Sequence, residues 1–130
     1  MIKKITLLTR SLISTLIFFL LTTLSFSQNA SLVISGNGVP ILNGDITPSL
    51  LDFTDFGNVN IGSTQNNTFI LRNMGVGGTN ASRRITFANP SVVISGVNAA
   101  QFSVVSGPNP GNTLNGLGAT FSPDLVIRFT

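Results

Sequence analysis

The stretch Thr64-Gln65-Asn66-Asn67-Thr68-Phe69-Ile70-Leu71-Arg72-Asn73 carries the clearest strand pattern in the chain. Side chains of a β-strand point alternately to its two faces, so Phe69 and Leu71 share one face while Thr68, Ile70 and Arg72 share the other. We expect Phe69 and Leu71 to be buried. The glycines at positions 75, 77 and 78 end the strand, because they favour turns.

The sequence on either side of this stretch repeats the same alternation of strand and turn signals. Short runs of β-branched residues and Phe are separated by clusters of Gly, Asn, Pro and Ser, and no segment has the 3.6-residue apolar period of a helix. This pattern is typical of an all-β sandwich. The predicted strands cover residues 31–35, 39–42, 52–56, 64–73, 85–88, 92–95, 102–105, 119–121 and 125–129.

Seven of the ten phenylalanines lie beyond residue 27 and are available to fill the core of such a fold. Burying one Phe side chain stabilises a protein by about 1.5–3 kcal/mol. The alternative is an aromatic platform for sugars or peptides, but such platforms favour Trp and Tyr, and the chain has neither. We therefore predict that these rings pack inside. They are Phe53, Phe56, Phe69, Phe87, Phe102, Phe121 and Phe129.

The first 27 residues have the features of a secretory signal peptide. Lys3, Lys4 and Arg10 give a positive start, an uncharged and mostly apolar run follows over residues 12–24, and small residues stand two apart in Ser25-Phe26-Ser27. A membrane-spanning helix needs about 20 apolar residues, and this run is shorter. An uncleaved N-terminal anchor is the alternative interpretation.

We expect cleavage between Ser27 and Gln28, which divides the chain into a signal peptide (1–27) and one domain (28–130). Removing 27 of the 130 residues leaves 103, in which four Arg balance four Asp. The high pI therefore gives no indication of nucleic-acid binding, which needs a basic patch on the folded domain. The sequence predicts a product exported by the general secretory machinery to the medium or the cell surface, without a stable membrane span after cleavage.

The composition excludes most enzyme chemistry. The chain has no His and no Cys, so it has no imidazole base, thiol nucleophile, disulfide or zinc thiolate site. Both lysines lie in the predicted signal peptide, which removes Schiff-base and Ser–Lys mechanisms from the exported part. We predict a protein that is not an enzyme and needs no cofactor.

Two clusters of charged residues are candidate sites. Asp52 and Asp55 could act as an acid and base pair, or bind calcium together with Asp45 and Asn58, since calcium prefers oxygen ligands. The favoured interpretation is that Asp52 and Asp55 are turn or strand-edge groups that bond to backbone amides. Arg83-Arg84 could meet an anionic polymer, but one basic pair is far less than such binding needs, so we expect a solvated loop or strand edge.

Five motifs, in order along the chain, together resemble the bacterial choice-of-anchor D domain, an immunoglobulin-like module of the ASH/Hydin group related to the major sperm protein fold. They are Ile34-Ser35-Gly36-Asn37-Gly38, Asn43-Gly44-Asp45-Ile46-Thr47-Pro48-Ser49, Thr54-Asp55-Phe56-Gly57-Asn58-Val59 followed by Ile61-Gly62-Ser63, Thr68-Phe69-Ile70-Leu71-Arg72-Asn73 before Met74-Gly75, and Val93-Ile94-Ser95-Gly96-Val97-Asn98-Ala99-Ala100-Gln101-Phe102. The signature positions are Gly36, Asn37, Gly38, Gly44, Asp45, Pro48, Ser49, Asp55, Phe56, Gly57, Gly62, Phe69, Asn73, Gly75, Ser95, Gly96, Asn98, Ala99 and Phe102.

The resemblance implies an incomplete immunoglobulin-like β-sandwich, because the family's strand at Val126-Ile127-Arg128-Phe129-Thr130 leads into further closing strands. Missing strands would leave sheet edges unpaired, and such edges recruit strands from other chains. Loops on a rigid sandwich commonly carry recognition, so residues 74–84 and 106–117 are the candidate binding surfaces.

Three functions follow as hypotheses. The first is a non-catalytic structural or adhesion module that presents loops and strand edges to protein partners at the cell surface. The second is a carbohydrate-binding accessory module of a larger exported protein. The third is a fragment of a longer surface protein without a function of its own.

Overall fold

The structure is a computed structural model that describes residues 30–130. The predicted signal peptide and the Ser27–Gln28 junction lie outside the described residues. Within residues 30–130, no helix is long and apolar enough to cross a membrane.

The described chain consists of strands joined by turns, which confirms the predicted all-β class. A single turn of 3₁₀ helix (Ala99–Gln101) precedes the strand that begins at Phe102. Every strand pair is antiparallel. The strands are β1 (Leu32–Gly36), β2 (Val39–Ile41), β3 (Gln65–Asn73), β4 (Ile85–Thr86), β5 (Phe102–Ser106), β6 (Thr113–Leu114), β7 (Ala119–Thr120) and β8 (Leu125–Phe129).

The main sheet is built around β3. Its strand order is β2-β1-β3-β8-β5, and β7 pairs with the end of β3 beyond β8. Residues 69–73 of β3 pair with β1 on one side, while residues 65–69 pair with β8 on the other. A separate ribbon joins β4 to β6, with Ile85 opposite Leu114.

The core lies on one face of β3, as the alternation in the sequence predicts. Asn67, Phe69, Leu71 and Asn73 are buried, and the residues between them are exposed. The prediction that Phe69 and Leu71 point inward is therefore confirmed. Leu114 comes from the ribbon and Phe87 follows β4, while Phe121 follows β7 and Leu125 begins β8, so the core joins both sheets. Its buried members are Phe69, Leu71, Phe87, Leu114, Phe121 and Leu125.

The prediction that all seven phenylalanines fill one core is only partly correct. Phe53, Phe56, Phe102 and Phe129 are half-buried. Phe102 and Phe129 face each other across β5 and β8, with ring centroids 5.1 Å apart. The Phe56 ring packs edge-on against Phe102 at 5.4 Å. These three rings form a second aromatic cluster, which is only partly covered because it lies where β5 and β8 begin and end.

Two predicted strands are absent from the described residues. Residues 52–56 form a turn, because Phe53 has a positive φ of 64°, which no strand accommodates. Asn67 holds this turn against β3 by donating a hydrogen bond from Nδ2 to the Phe53 carbonyl at 2.7 Å. Residues 92–95 are irregular, although Val92 still packs against the core. The two-residue strand β6 has no counterpart among the predicted strands.

Candidate functional site

The two loops predicted as binding surfaces, residues 74–84 and 106–117, meet at the end of β3. The Leu117 N–H donates to the Gly75 carbonyl at 2.9 Å, and the Gly118 N–H donates to the Asn73 carbonyl at 2.8 Å. We call residues 74–84 and 114–118 together the loop platform. The remainder of the second loop lies elsewhere, since Gly111 donates to the Phe87 carbonyl beside the ribbon.

Asn73 fixes the loop platform to the sheet with all four hydrogen bonds that an amide side chain can make. Its Oδ1 accepts from the N–H groups of Ser31 and Gly75, at 3.1 and 3.0 Å. Its Nδ2 donates to the carbonyls of Arg83 and Leu114, at 2.6 and 3.0 Å. Asn73 has no exposed surface, and a buried polar side chain that is fully bonded rigidifies its surroundings. Both loops are therefore held in one arrangement.

Arg83 holds the first loop from inside, and the prediction that it is solvated is wrong. Only 8% of Arg83 is exposed. Its guanidinium donates to the carbonyls of Gly77 and Gly78 at 2.5 and 2.6 Å, and also to Oδ1 of Asn80. Its Nε is buried without a partner. The Arg83 stem lies so close to Gly116 that a Cβ there would stand 2.5 Å from Cδ. Packing and loop carbonyls, rather than solvent, surround this cation.

The tip of the loop platform is apolar and exposed. Met74, Val76 and Leu117 are 45%, 68% and 65% exposed. They stand on either side of the hydrogen bond between Leu117 and Gly75, and the Met74 sulfur lies 3.9 Å from where a Cβ on Gly118 would be. Exposed apolar side chains on a rigid backbone offer a partner buried area at little ordering cost.

Asp52 and Asp55 bond to backbone amides in turns, as predicted. Asp52 Oδ1 accepts from the Thr54 N–H at 3.0 Å and the Thr54 hydroxyl at 2.6 Å, and Asp55 Oδ1 accepts from the Gly57 N–H at 2.8 Å. Each carboxylate closes its own turn, so the two do not form an acid and base pair. Residues 30–130 contain no group of three or more acidic side chains placed to hold a metal ion.

Asp45 makes the same kind of turn at the surface. Its Oδ1 accepts from the Thr47 hydroxyl at 2.6 Å and from the Thr47 N–H at 2.9 Å. Both bonds favour the charged carboxylate, the hydroxyl bond most strongly, so they lower the pKa of Asp45 below its ordinary value of 3.8. The bonds stabilise the turn between β2 and the 52–56 segment.

The signature residues do not converge on one site. Gly36, Asn37 and Gly38 form the β1–β2 hairpin, in which Asn37 and Gly38 have φ of 50° and 76°, as a type I′ turn requires. Phe56 and Phe102 meet in the second aromatic cluster, and Asn73 and Gly75 belong to the loop platform. The other members stand in the core or in separate turns: Gly44, Asp45, Pro48, Ser49, Asp55, Gly57, Gly62, Phe69, Ser95, Gly96, Asn98 and Ala99.

The sequence analysis missed the structural roles of Asn67, Asn73 and Arg83. A signal for the two asparagines was present, because both are in phase with Phe69 and Leu71 and must lie on the buried face of β3. No comparable signal marked Arg83, whose burial depends on the path of the 74–84 loop.

Comparison with known proteins provides no relative for this chain: no protein family, curated protein or solved structure matches it.

Proposed function

We propose that this protein is a non-catalytic, exported module of the immunoglobulin-like, choice-of-anchor D type, which binds a protein partner at the cell surface. The signal-peptide pattern of residues 1–27 supports export, and the ordered motifs between Ile34 and Phe102 support the domain type. The antiparallel main sheet, with a core shared between it and the β4–β6 ribbon, is consistent with a sandwich of that type.

The loop platform is the observation that carries the binding proposal. Asn73 and Arg83 hold two loops together from below, and the exposed side chains above them are apolar. Apolar side chains, Met among them, are what protein interfaces use at their centres, where charged residues are depleted. Asp52 and Asp55 each bond to a backbone amide in a separate turn and do not form an acid and base pair, which favours binding over catalysis.

The test begins with the full-length chain produced in a bacterial host. Export predicts that the product accumulates outside the cytoplasm and that its first residue is Gln28, which N-terminal sequencing of the recovered chain determines. The exported chain is then applied to an array of purified extracellular-matrix and bacterial surface proteins, and in parallel to a glycan array. We expect retention on a protein and none on glycans.

Substitutions at the platform tip connect that binding to the structure. Leu117→Asp places a charge where apolar contact is expected, and it should weaken retention about tenfold or more, as the loss of a central interface residue does. The matched controls are Ile61→Asp and Val97→Asp, which place the same charge at fully exposed positions outside the platform. Retention on glycans alone would favour the carbohydrate-binding alternative. Equal loss with all three substitutions would contradict a role for the platform.

A further inference from the structure

The hydrogen bonds of the main sheet establish which backbone groups of β5 point outward. The Thr130 N–H donates to the Gln101 carbonyl at 2.9 Å, and in this register Gln101 stands opposite Thr130 and Ser103 opposite Arg128. Paired residues of an antiparallel ladder alternate between those that bond to each other and those that do not. Ser103 therefore bonds to β8, whereas the backbone groups of Phe102 and Val104 face the free edge.

Val104 alone offers both of its backbone groups at this edge before the β-bulge. The Phe102 N–H is already donated to the Ala99 carbonyl in the short 3₁₀ turn. The bulge between Val104 and Ser106 then interrupts the regular ladder. The free edge is thus centred on Val104, whose side chain is 43% exposed.

The opposite edge of the sheet cannot accept a strand in the same way. The Met74 N–H donates to the Ser31 carbonyl, so in the β1–β3 ladder Ser35 bonds toward β3. Its partner on β2, Pro40, therefore turns its nitrogen to the free edge of β2. Proline has no N–H to donate, which is how natural sheets block an edge.

The surroundings of Val104 are uncharged. An open cleft of about 500 Å³ lies beside β5, and none of the residues that line it is charged. Its apolar walls include Val92, Val105, Pro108 and Pro123. Natural sheets commonly protect an edge with charged side chains, and β5, with the sequence FSVVS, has none.

We propose that β5 pairs antiparallel with β5 of a second copy of this chain, about a two-fold axis at Val104. Each Val104 N–H donates to the Val104 carbonyl of the other copy. The two-fold axis thus pairs the outward-facing N–H and carbonyl of Val104 with the same groups of its symmetry mate. The uncharged edge brings no like charges together on the axis. Because Pro40 blocks the other edge, the assembly closes as a dimer and does not extend into a fibre.

This inference concerns a different surface from the loop platform, so either proposal can fail without the other. The chain contains no cysteine, and a single Cys therefore reports on one position. Residues that bond to each other across an antiparallel pair have Cα atoms about 5.5 Å apart, which a disulfide can bridge. Val104→Cys should give a disulfide-linked dimer when lysates of cells producing the full-length chain are oxidised.

The matched control is Val39→Cys, on the edge strand that Pro40 blocks and with nearly the same exposure, 40% against 43%. We expect the V104C chain to cross-link at least tenfold faster than the V39C chain. Equal cross-linking rates for the two variants would overturn the proposal, because they would mean that the disulfides form by random collision between chains.

Sedimentation velocity over a range of concentrations gives an independent measurement. The wild-type chain should approach twice the monomer mass as concentration rises, and Val104→Pro, which removes the outward-facing N–H, should stay a monomer. Pro40→Val should produce assemblies larger than a dimer, because it restores a donor to the second edge.

A wild-type chain that stays a monomer throughout, or a V104P chain that still dimerises, would overturn the proposal. Loss of partner binding in V104P while the wild type is a monomer would instead assign the edge to a strand of another protein.

Discussion

The Asn73 side chain donates a hydrogen bond of 2.6 Å from Nδ2 to the Arg83 carbonyl, and this contact ties the end of the central strand to the far end of a loop ten residues later. Arg83 in turn bonds through its guanidinium to the carbonyls of Gly77 and Gly78 inside that loop. The loop is therefore closed twice, once through the backbone of Arg83 and once through its side chain. Two residues that do not point to solvent thus determine the shape of an exposed surface.

Asn73→Ala should be among the most destabilising substitutions in the chain. It leaves the buried Gly75 N–H and the buried carbonyls of Arg83 and Leu114 without the amide that now bonds them, and it also removes the acceptor of the part-buried Ser31 N–H. Unsatisfied buried groups cost about 1–3 kcal/mol each, and partial rearrangement should limit the total loss to about 3 kcal/mol. Urea unfolding of the exported chain, followed by circular dichroism, measures this difference. Asn58→Ala at an exposed position is the control and should change the free energy of unfolding by less than about 0.5 kcal/mol.

Asn73→Asp tests the direction of those bonds. An oxygen replaces Nδ2 and faces the carbonyls of Arg83 and Leu114, so the charged carboxylate is disfavoured and its pKa in the folded state should be raised. Stability is then retained below the unfolded-state pKa and lost as pH rises through the folded-state value. The N73D chain should approach wild-type stability at acid pH and fall below it near pH 7. A constant difference across that range would contradict the assigned orientation of the amide.

Arg83→Ala and Arg84→Ala make a matched pair at adjacent positions. Arg83 is buried and bonds to the loop carbonyls, whereas Arg84 is exposed. Loss of the Arg83 guanidinium should release residues 77–82, and amide hydrogen exchange there should become at least tenfold faster while β3 stays protected. R84A should exchange like the wild type. If R83A also leaves exchange in the loop unchanged, the guanidinium does not hold the loop.

The Asp45 turn predicts a pH dependence at one exposed site. Because the Thr47 hydroxyl and N–H lower the pKa of Asp45, the turn is most stable above the ordinary carboxyl value of 3.8 and loosens as pH falls through the lowered value. Thr47→Val removes the hydroxyl bond, and the Asp45 pKa should rise toward 3.8 in an NMR titration. Thr64→Val, at another exposed threonine, should leave it unchanged. An Asp45 pKa that does not respond to T47V would show that the hydroxyl is not its partner.

The elements that the sequence predicted well are those whose structure depends on local pattern. Strand β8 has the predicted bounds, β3 differs by one residue, and Phe69 and Leu71 point inward as period two requires. The turn of the first hairpin could also be predicted from sequence, because it needs positive φ at two adjacent positions, which favours Asn-Gly, here Asn37-Gly38.

The predictions that were wrong concern parts of the structure that depend on contacts between distant parts of the chain. Residues 52–56 contain two phenylalanines and a threonine, residue types that favour strands, but Asn67 of β3 holds the Phe53 carbonyl and the backbone turns there. Arg83 looks like a surface residue until the 74–84 loop folds over it. The loop platform could be anticipated as two separate loops, but their meeting around Asn73 depends on the register of β3 with β1 and β7.

The 52–56 turn leads to the last prediction, because it packs directly on the first hairpin. A Cβ at Gly36 would lie 1.9 Å from the Asp52 carbonyl oxygen, which is backbone and cannot rotate away. Gly36→Ala should therefore push the turn off the sheet and cost about 3 kcal/mol, as an overpacked site does. Gly38→Ala is the control in the same hairpin. It meets no atom within 4 Å and should cost only the strain of its φ of 76°, about 1–2 kcal/mol. Urea unfolding of both variants compares the two costs, and a G36A chain as stable as G38A would mean that Asp52 does not contact the hairpin in solution.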